Sequence, residues 1–204
     1  MTYLAYAGIG SRETPADILH VMRLIGEGLF QQGWTLRSGG AKGADSAFEA
    51  GVDFALANTL TNGSNHYHPK EIYLPWKGFN NSDSELHPQN LPFSAEEIQL
   101  SRSMHPGWHR CSAAARKMHQ RNLRQILGHP SVNGDVVQPV KFVVCWTEGG
   151  KLIGGTAQAL RIAQSCNIPI INFGNTSNTN QIYQMLRRME EIANEFKENP
   201  DGSL

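Results

Sequence analysis

The sequence predicts an α/β fold, a Rossmann-like doubly wound domain with a mostly parallel five-stranded sheet and helices on both faces. Three observations predict it. Short apolar runs alternate with segments of helical period, the pattern of βαβ units. The turns after three of those runs are crowded with glycine, as at the ligand edge of an open parallel sheet. A length of 204 residues suits one sizeable core and is short for two. The chain therefore reads as a single domain, 1–204.

The first apolar run, Tyr3–Ile9, ends in Gly8-Ile9-Gly10. Thr14 and Pro15 then suit the N-cap and first position of a helix. Ile18, Val21, Met22, Ile25 and Leu29 share one face of it. Gly33 ends this helix, and Trp34–Arg37 is a short second strand whose Trp34 is structural. The turn Ser38–Asp45 opens a helix through about Ala57, in which Gly51 is expected to permit close packing. Asn58–Pro69 reads as a polar loop and Glu71–Leu74 as a third strand stopped by Pro75. Residues 76–106, rich in Pro, Asn, Ser and Gly, read as an inserted flap rather than core. A basic helix is expected from about Trp108 to Leu127, then the most apolar strand, Lys141–Trp146. Thr147–Gly155 opens a helix through about Ser165, and Ile168–Phe173 is the fifth strand. The last helix, about Asn178–Phe196, places Ile182, Met185, Met189, Ile192 and Phe196 on one side. The tail from Lys197 is expected to fray.

Composition excludes several classes. No apolar run approaches a membrane span, and the first twenty residues lack a signal peptide's pattern, so a cytoplasmic protein with no membrane partner is expected. Three cysteines without CxxC spacing argue against a disulfide framework or thiolate metal site; Cys145 and Cys166 lie in apolar settings and read as buried. Lys plus Arg and Asp plus Glu both number 18, which weighs against a protein that coats DNA by neutralising many phosphates. From Ile98 to Gly134, however, there is no acid, while Arg102, Arg110, Arg116, Lys117, Arg121 and Arg124 supply six positive charges. Without neighbouring acids, that helix is expected to face an anion.

Right-handed crossovers put every strand-to-helix turn at the carboxyl edge of a parallel sheet, where ligands bind at the reversal of strand order. Glycine allows close backbone approach, and a helix N-terminus offers unpaired N–H groups to an anion. Gly8, Gly10, Ser11 and Arg12 in the first turn are therefore candidate phosphate-binding residues. So are Ser38, Gly39, Gly40, Lys42, Gly43 and Asp45 in the second, and Glu148, Gly154, Gly155 and Thr156 in the turn after strand four. Arg12 and Lys42 would add charge-assisted bonds, and Asp45 would cap its helix or bond a ribose hydroxyl. Arg116, Arg121 and Asn122 come from the basic helix. Trp76 and Trp146 each follow a strand, near enough to the edge to stack on a base. The first turn fits only two glycines of GxGxxG, with Glu13 in place of the third, and no P-loop pattern is present.

Three of these stretches carry a family resemblance. Gly8-Ile9-Gly10-Ser11-Arg12, Ser38-Gly39-Gly40-Ala41-Lys42-Gly43-Ala44-Asp45 and Gly154-Gly155-Thr156-Ala157 resemble the turns of the superfamily (SLOG) that joins DNA-processing protein A with the Lonely Guy phosphoribohydrolases. Arg121-Asn122 is similar to the Arg-Asn pair of the DNA-processing proteins, and a stand-alone DNA-processing protein A-like domain is the nearest type. The resemblance implies a Rossmann-like fold and a nucleotide or single-stranded DNA ligand, since those proteins bind single-stranded DNA and help load recombinase. The 204 residues hold no winged-helix segment. The phosphoribohydrolases need a glutamate shortly after the glycine–threonine turn, and Gln158-Ala159-Leu160 offers none. Glu148, on the other side of the turn, is a poor substitute, which disfavours glycosidic-bond hydrolysis.

His105, His109 and His119 lie in the basic stretch, where the lack of carboxylates argues for phosphate contact or solvated loop rather than metal. His66 and His68 alternate in a polar loop. Neither a metal nor a cofactor is expected. The leading reading is non-catalytic capture of a nucleotide-derived phosphate ligand, such as an ADP-ribose-like or cyclic nucleotide signal. The alternative is a single-stranded DNA-binding recombination mediator, and a phosphoribohydrolase ranks third. A homo-oligomer stays open.

Overall fold

The computed structural model describes residues 3–59, 69–132, 136–176 and 178–199. Most of the expected loop at 58–69, with His66 and His68, and the tail from 200 lie outside them. Five strands, β1 (Ala5–Gly10), β2 (Thr35–Ser38), β3 (Lys70–Ile72), β4 (Phe142–Trp146) and β5 (Ile170–Asn172), form one sheet in the order β3-β2-β1-β4-β5. Every neighbouring pair is parallel, so the sheet is wholly rather than mostly parallel. The α/β, Rossmann-like doubly wound fold stands as the sequence reads it.

The helices are α1 (Ala16–Gln31), α2 (Ala44–Thr59), α3 (Ala95–Ser103), α4 (Ala113–Leu127), α5 (Ala157–Ser165) and α6 (Thr179–Glu198). Two cores flank the sheet, and strand alternation divides them. Tyr6, Phe142 and Val144 point toward α1, α2 and α6, where Met22, Phe48 and Ile192 are buried. Ala5, Ala7, Ile9, Val143 and Cys145 point to the other face, against Leu123 and Ile126 of α4 and Leu160 of α5. Trp34 is buried in the first core with its ring 5.0 Å from that of Phe142. α1 and α2 cross closely: a Cβ on Gly51 would lie 2.0 Å from the Arg23 carbonyl oxygen, and one on Gly26 would lie 2.5 Å from that of Phe48. The Gly51 expectation holds for this reason.

Three local readings change. The segment 76–106 contains α3, whose start is a capping box: Ser94 accepts from the Glu97 N–H and Glu97 from the Ser94 N–H. Prolines around it hide a nine-residue helix from a composition reading. The basic helix starts at Ala113 rather than Trp108, because Pro106 and Gly107 bend the chain and Ser112 caps the helix. Cys166 is exposed, beyond the last turn of α5, whereas Cys145 is buried in β4. Among the described residues no helix is long and apolar enough to cross a membrane.

Candidate ligand-binding crevice

Strand order reverses between β1 and β4, and there a crevice of about 770 Å³ opens at the carboxyl edge. That volume lies within the range of small-molecule sites. Its walls are the β1–α1 turn, the β4–α5 turn, the start of α2 and one face of α4.

The β1–α1 turn is pinned at its base, where Ser11 N–H donates to the Trp146 carbonyl at 3.1 Å. Thr14 Oγ1 donates to the Ser11 carbonyl at 2.8 Å instead of capping α1, which has no side-chain cap. Gly10, Ser11 and Arg12 line the crevice, with Arg12 exposed. Gly8 does not line it: a Cβ there would lie 2.6 Å from the Phe48 ring, so its small size serves the packing of α2.

The β2–α2 turn is organised by Asp45. Its Oδ2 accepts from the N–H groups of Gly39 (3.2 Å) and Ala41 (3.4 Å) and from Arg121 Nη1 (3.4 Å). Asp45 is thus spent inside the turn rather than offered to a ribose. Burial raises its carboxyl above the usual range, opposed chiefly by Arg121. The turn's glycines fill space. A Cβ on Gly39 would fall 1.1 Å from Arg121 Nη1, and Gly40 (φ +63°) lies against Leu74. Gly43 (φ +85°) rests on the backbone of Ser11 and Arg12. Ser38 donates its hydroxyl to the Gly8 carbonyl at 2.8 Å. Of this turn only Ala41 and Asp45 line the crevice, and Lys42 is exposed outside it.

The β4–α5 turn is built oppositely. Gly154 (φ +67°) and Gly155 have nothing within 4 Å of where a Cβ would stand. α5 follows Thr156, which lines the crevice, and has no side-chain cap, so the N–H groups of its first turn lack that partner. Glu148, Gly154, Gly155 and Thr156 all line the crevice, as does the half-buried Trp146. Thr147 and Asn172 lock the base of the turn through Thr147 N–H to Asn172 Oδ1 (3.1 Å) and Asn172 Nδ2 to Thr147 Oγ1 (2.8 Å).

From α4 come Met118, Arg121, Asn122 and Gln125. Asn122 Nδ2 donates to the Gly155 carbonyl at 2.8 Å and fixes the neighbouring turn. Arg121 is 4% exposed, and its Nε has no hydrogen-bond partner among the described residues. Burial pulls its guanidinium down from the ordinary value, with Asp45 opposing. A guanidinium stays charged at neutral pH regardless.

The expectation that the basic helix lacks acidic partners is overturned for two of its arginines. Arg121 pairs with Asp45, and Arg124 pairs with Glu97 at 2.6 Å while donating to the carbonyls of Leu91 and Pro92. The acids arrive from α2 and α3, beyond the reach of local sequence. Arg116 lies outside the crevice beside Trp108, with its guanidinium 5.8 Å from the ring. Trp76 also lies outside, edge-on to Phe79 at 5.1 Å. No residue of 76–106 lines the crevice; α3 packs on α4 instead. Gln158, where a phosphoribohydrolase-like glutamate is sought, turns away and donates to the Ser101 carbonyl at 2.8 Å.

Sequence reasoning missed Met118 and Gln125. With Arg121 and Asn122 they occupy offsets 0, 3, 4 and 7 along α4, so helical spacing around the Arg-Asn pair contained the signal. Ile153, an exposed apolar residue on the rim, carried none. The chain matches no protein-family model, no curated protein and no solved structure.

Proposed function

We propose that this crevice holds a nucleotide-derived ligand by its phosphate and does so without turning it over. The carrying observation is the convergence on one crevice of Arg121, with a buried unpartnered Nε, and the N-terminus of α5, which lacks a side-chain cap. Each supplies positive potential or an N–H donor to an anion. Trp146 at the rim gives a face for a base, and Glu148 and Glu13 give acceptors for ribose hydroxyls. The resemblance of the three turns to nucleotide-binding relatives supports the same class, with an ADP-ribose-like or cyclic nucleotide signal as the leading type.

Two observations favour a small ligand over single-stranded DNA. The crevice is the size of a small molecule, and Arg124 of α4, engaged by Glu97 and the carbonyls of Leu91 and Pro92, is not offered to a strand running along the helix. Hydrolysis is disfavoured because Gln158 is engaged elsewhere and the crevice's carboxylates lie on the β1–α1 turn, inside the β2–α2 turn, or at exposed Glu148. Thermal-shift screening against mononucleotides, dinucleotides, ADP-ribose and cyclic nucleotides tests this. A stabilising ligand recovered chemically unchanged is expected. No stabilising member of that panel, together with salt-sensitive binding of oligo-dT, would replace the reading with the DNA-binding one.

A further inference from the structure

We propose that His105, Cys111 and His119 form a binding site for a zinc-class divalent cation, with three protein ligands and a fourth position open to water. One ligand atom from each residue lies within 4.8 Å of the other two. Cys111 Sγ is 3.8 Å from Nδ1 and 4.0 Å from Nε2 of His105. Tetrahedral zinc, with bonds of about 2.3 Å to sulfur and about 2.0 Å to nitrogen, separates its ligand atoms by roughly 3.3–3.6 Å. At the sulfur–imidazole edge the cluster is within a few tenths of an ångström of that separation.

The fold assembles the group from three places. His105 follows α3, Pro106 and Gly107 bend the chain, Cys111 follows a short helical turn, and His119 projects from the second turn of α4. The imidazoles face each other with centroids 4.2 Å apart, and Trp108 stands 6.3 Å from each ring. His119 is buried, and its Nδ1 has no hydrogen-bond partner among the described residues. The remaining contacts are exchangeable: Cys111 Sγ reaches the Gly107 carbonyl at 3.5 Å, and His105 Nδ1 accepts from Gly107 N–H at 3.1 Å. Metal ligation through Nδ1 replaces the latter bond.

Two nitrogens and a sulfur select zinc-like ions over magnesium or calcium, which take oxygen ligands. Arg110 and Arg161 act on His105, and Arg161 and Arg121 act on His119, so the site lies among cations. A thiolate among the ligands offsets that environment. The spacing His-x5-Cys-x7-His resembles no common zinc motif, and the lack of carboxylates, which argues against a metal in the linear sequence, leaves out Cys111 as the third ligand. Bound metal would fasten the α3–α4 corner to the helix that carries Arg121 and Asn122. The proposal does not depend on what the crevice binds.

Titration of the metal-free protein with Zn²⁺ against a chromophoric chelator, and with Co²⁺ by absorption spectroscopy, tests it. One equivalent of zinc is expected, with a thiolate-to-cobalt charge-transfer band and intense tetrahedral d–d bands. Cys111→Ser and His119→Ala should abolish both signals. Cys166→Ser, His109→Ala and a His66→Ala/His68→Ala double variant should keep them. Binding unchanged in Cys111→Ser, or a cobalt spectrum of the unaltered protein without the thiolate band, would overturn the assignment. The cobalt spectrum decides the matter even if a variant fails to fold.

Discussion

The β2–α2 and β4–α5 turns are both glycine-rich and flank the same sheet edge, yet their glycines answer to different physics. In the first, Gly39, Gly40 and Gly43 are small because Arg121, Leu74 and the β1–α1 turn occupy the space a side chain would need. Its amides at Gly39 and Ala41 are already bonded to Asp45. In the second, Gly154 and Gly155 face open space, and the helix they precede has no side-chain cap. The first turn packs around Arg121, and the second leaves open space at the crevice. Glycine count alone does not separate the two.

The largest effect should come from breaking the scaffold at its charge. Asp45→Ala leaves Arg121 buried without its counter-ion and strips two amides of their acceptor. Removing one partner of such a pair costs about 3–5 kcal/mol, which urea unfolding would read as a lowered midpoint. A loss below about 1 kcal/mol would mean that Asp45 does not organise the turn. Gly39→Ala comes next. Its Cβ must displace Arg121 or Gln125, whose side-chain nitrogens would lie 1.1 and 2.7 Å away. Overpacking of this kind costs about 1–3 kcal/mol, and loss of ligand should accompany it because Arg121 moves. Unchanged melting with unchanged ligand affinity would show that the side chains yield freely.

A third test uses pH. Glu49, one turn after Asp45 on α2, has its carboxyl pushed up to about 7, first by burial and then by the charge of Asp45. A carboxyl raised in the folded state favours folding while protonated. Its contribution is fully present below the ordinary value of about 4.5 and is lost as pH rises toward 7. Glu49→Gln should therefore flatten stability across that window and raise it at pH 8 by about 1–2 kcal/mol, less than the full shift implies because water reaches part of the group. Parallel stability–pH curves for the two proteins would remove Glu49 from the account. No corresponding buried acid lies under the β4–α5 turn among the described residues.

Much of this was legible beforehand. The alternation of runs and helical periods marked the five strands of a parallel sheet and its carboxyl-edge turns because both follow from chain-local patterns and the handedness of crossovers. The Arg-Asn pair, singled out by the basic helix and a motif resemblance, and the glycines of the β4–α5 turn, singled out by position, do line the crevice. What failed was long-range. Arg124 and Arg121 read as unbalanced cations because their acids, Glu97 and Asp45, come from other helices. Gly8 read as a ligand contact because nothing local announces that Phe48 packs against it. His105 and His119 read as phosphate contacts or solvated loop, with Cys111 not joined to them, because the bend at Pro106-Gly107 that brings the three together is not announced by their spacing.

The smallest effect on the fold is the most informative about the ligand. Gly155→Ala adds a methyl where nothing lies within 4 Å, at a residue with no positive φ, so stability should change by no more than about 0.5 kcal/mol. Gly155 lines the crevice beside the uncapped start of α5, so the same methyl should crowd a phosphate seated there. Close backbone approach is lost there, and affinity for the ligand identified by thermal shift should fall while the ligand-free melting temperature stays put. Set beside Gly39→Ala, which should damage both, the pair separates approach from packing. If Gly155→Ala binds as well as the unaltered protein, phosphate is not held at α5, and the bare turn serves some other end.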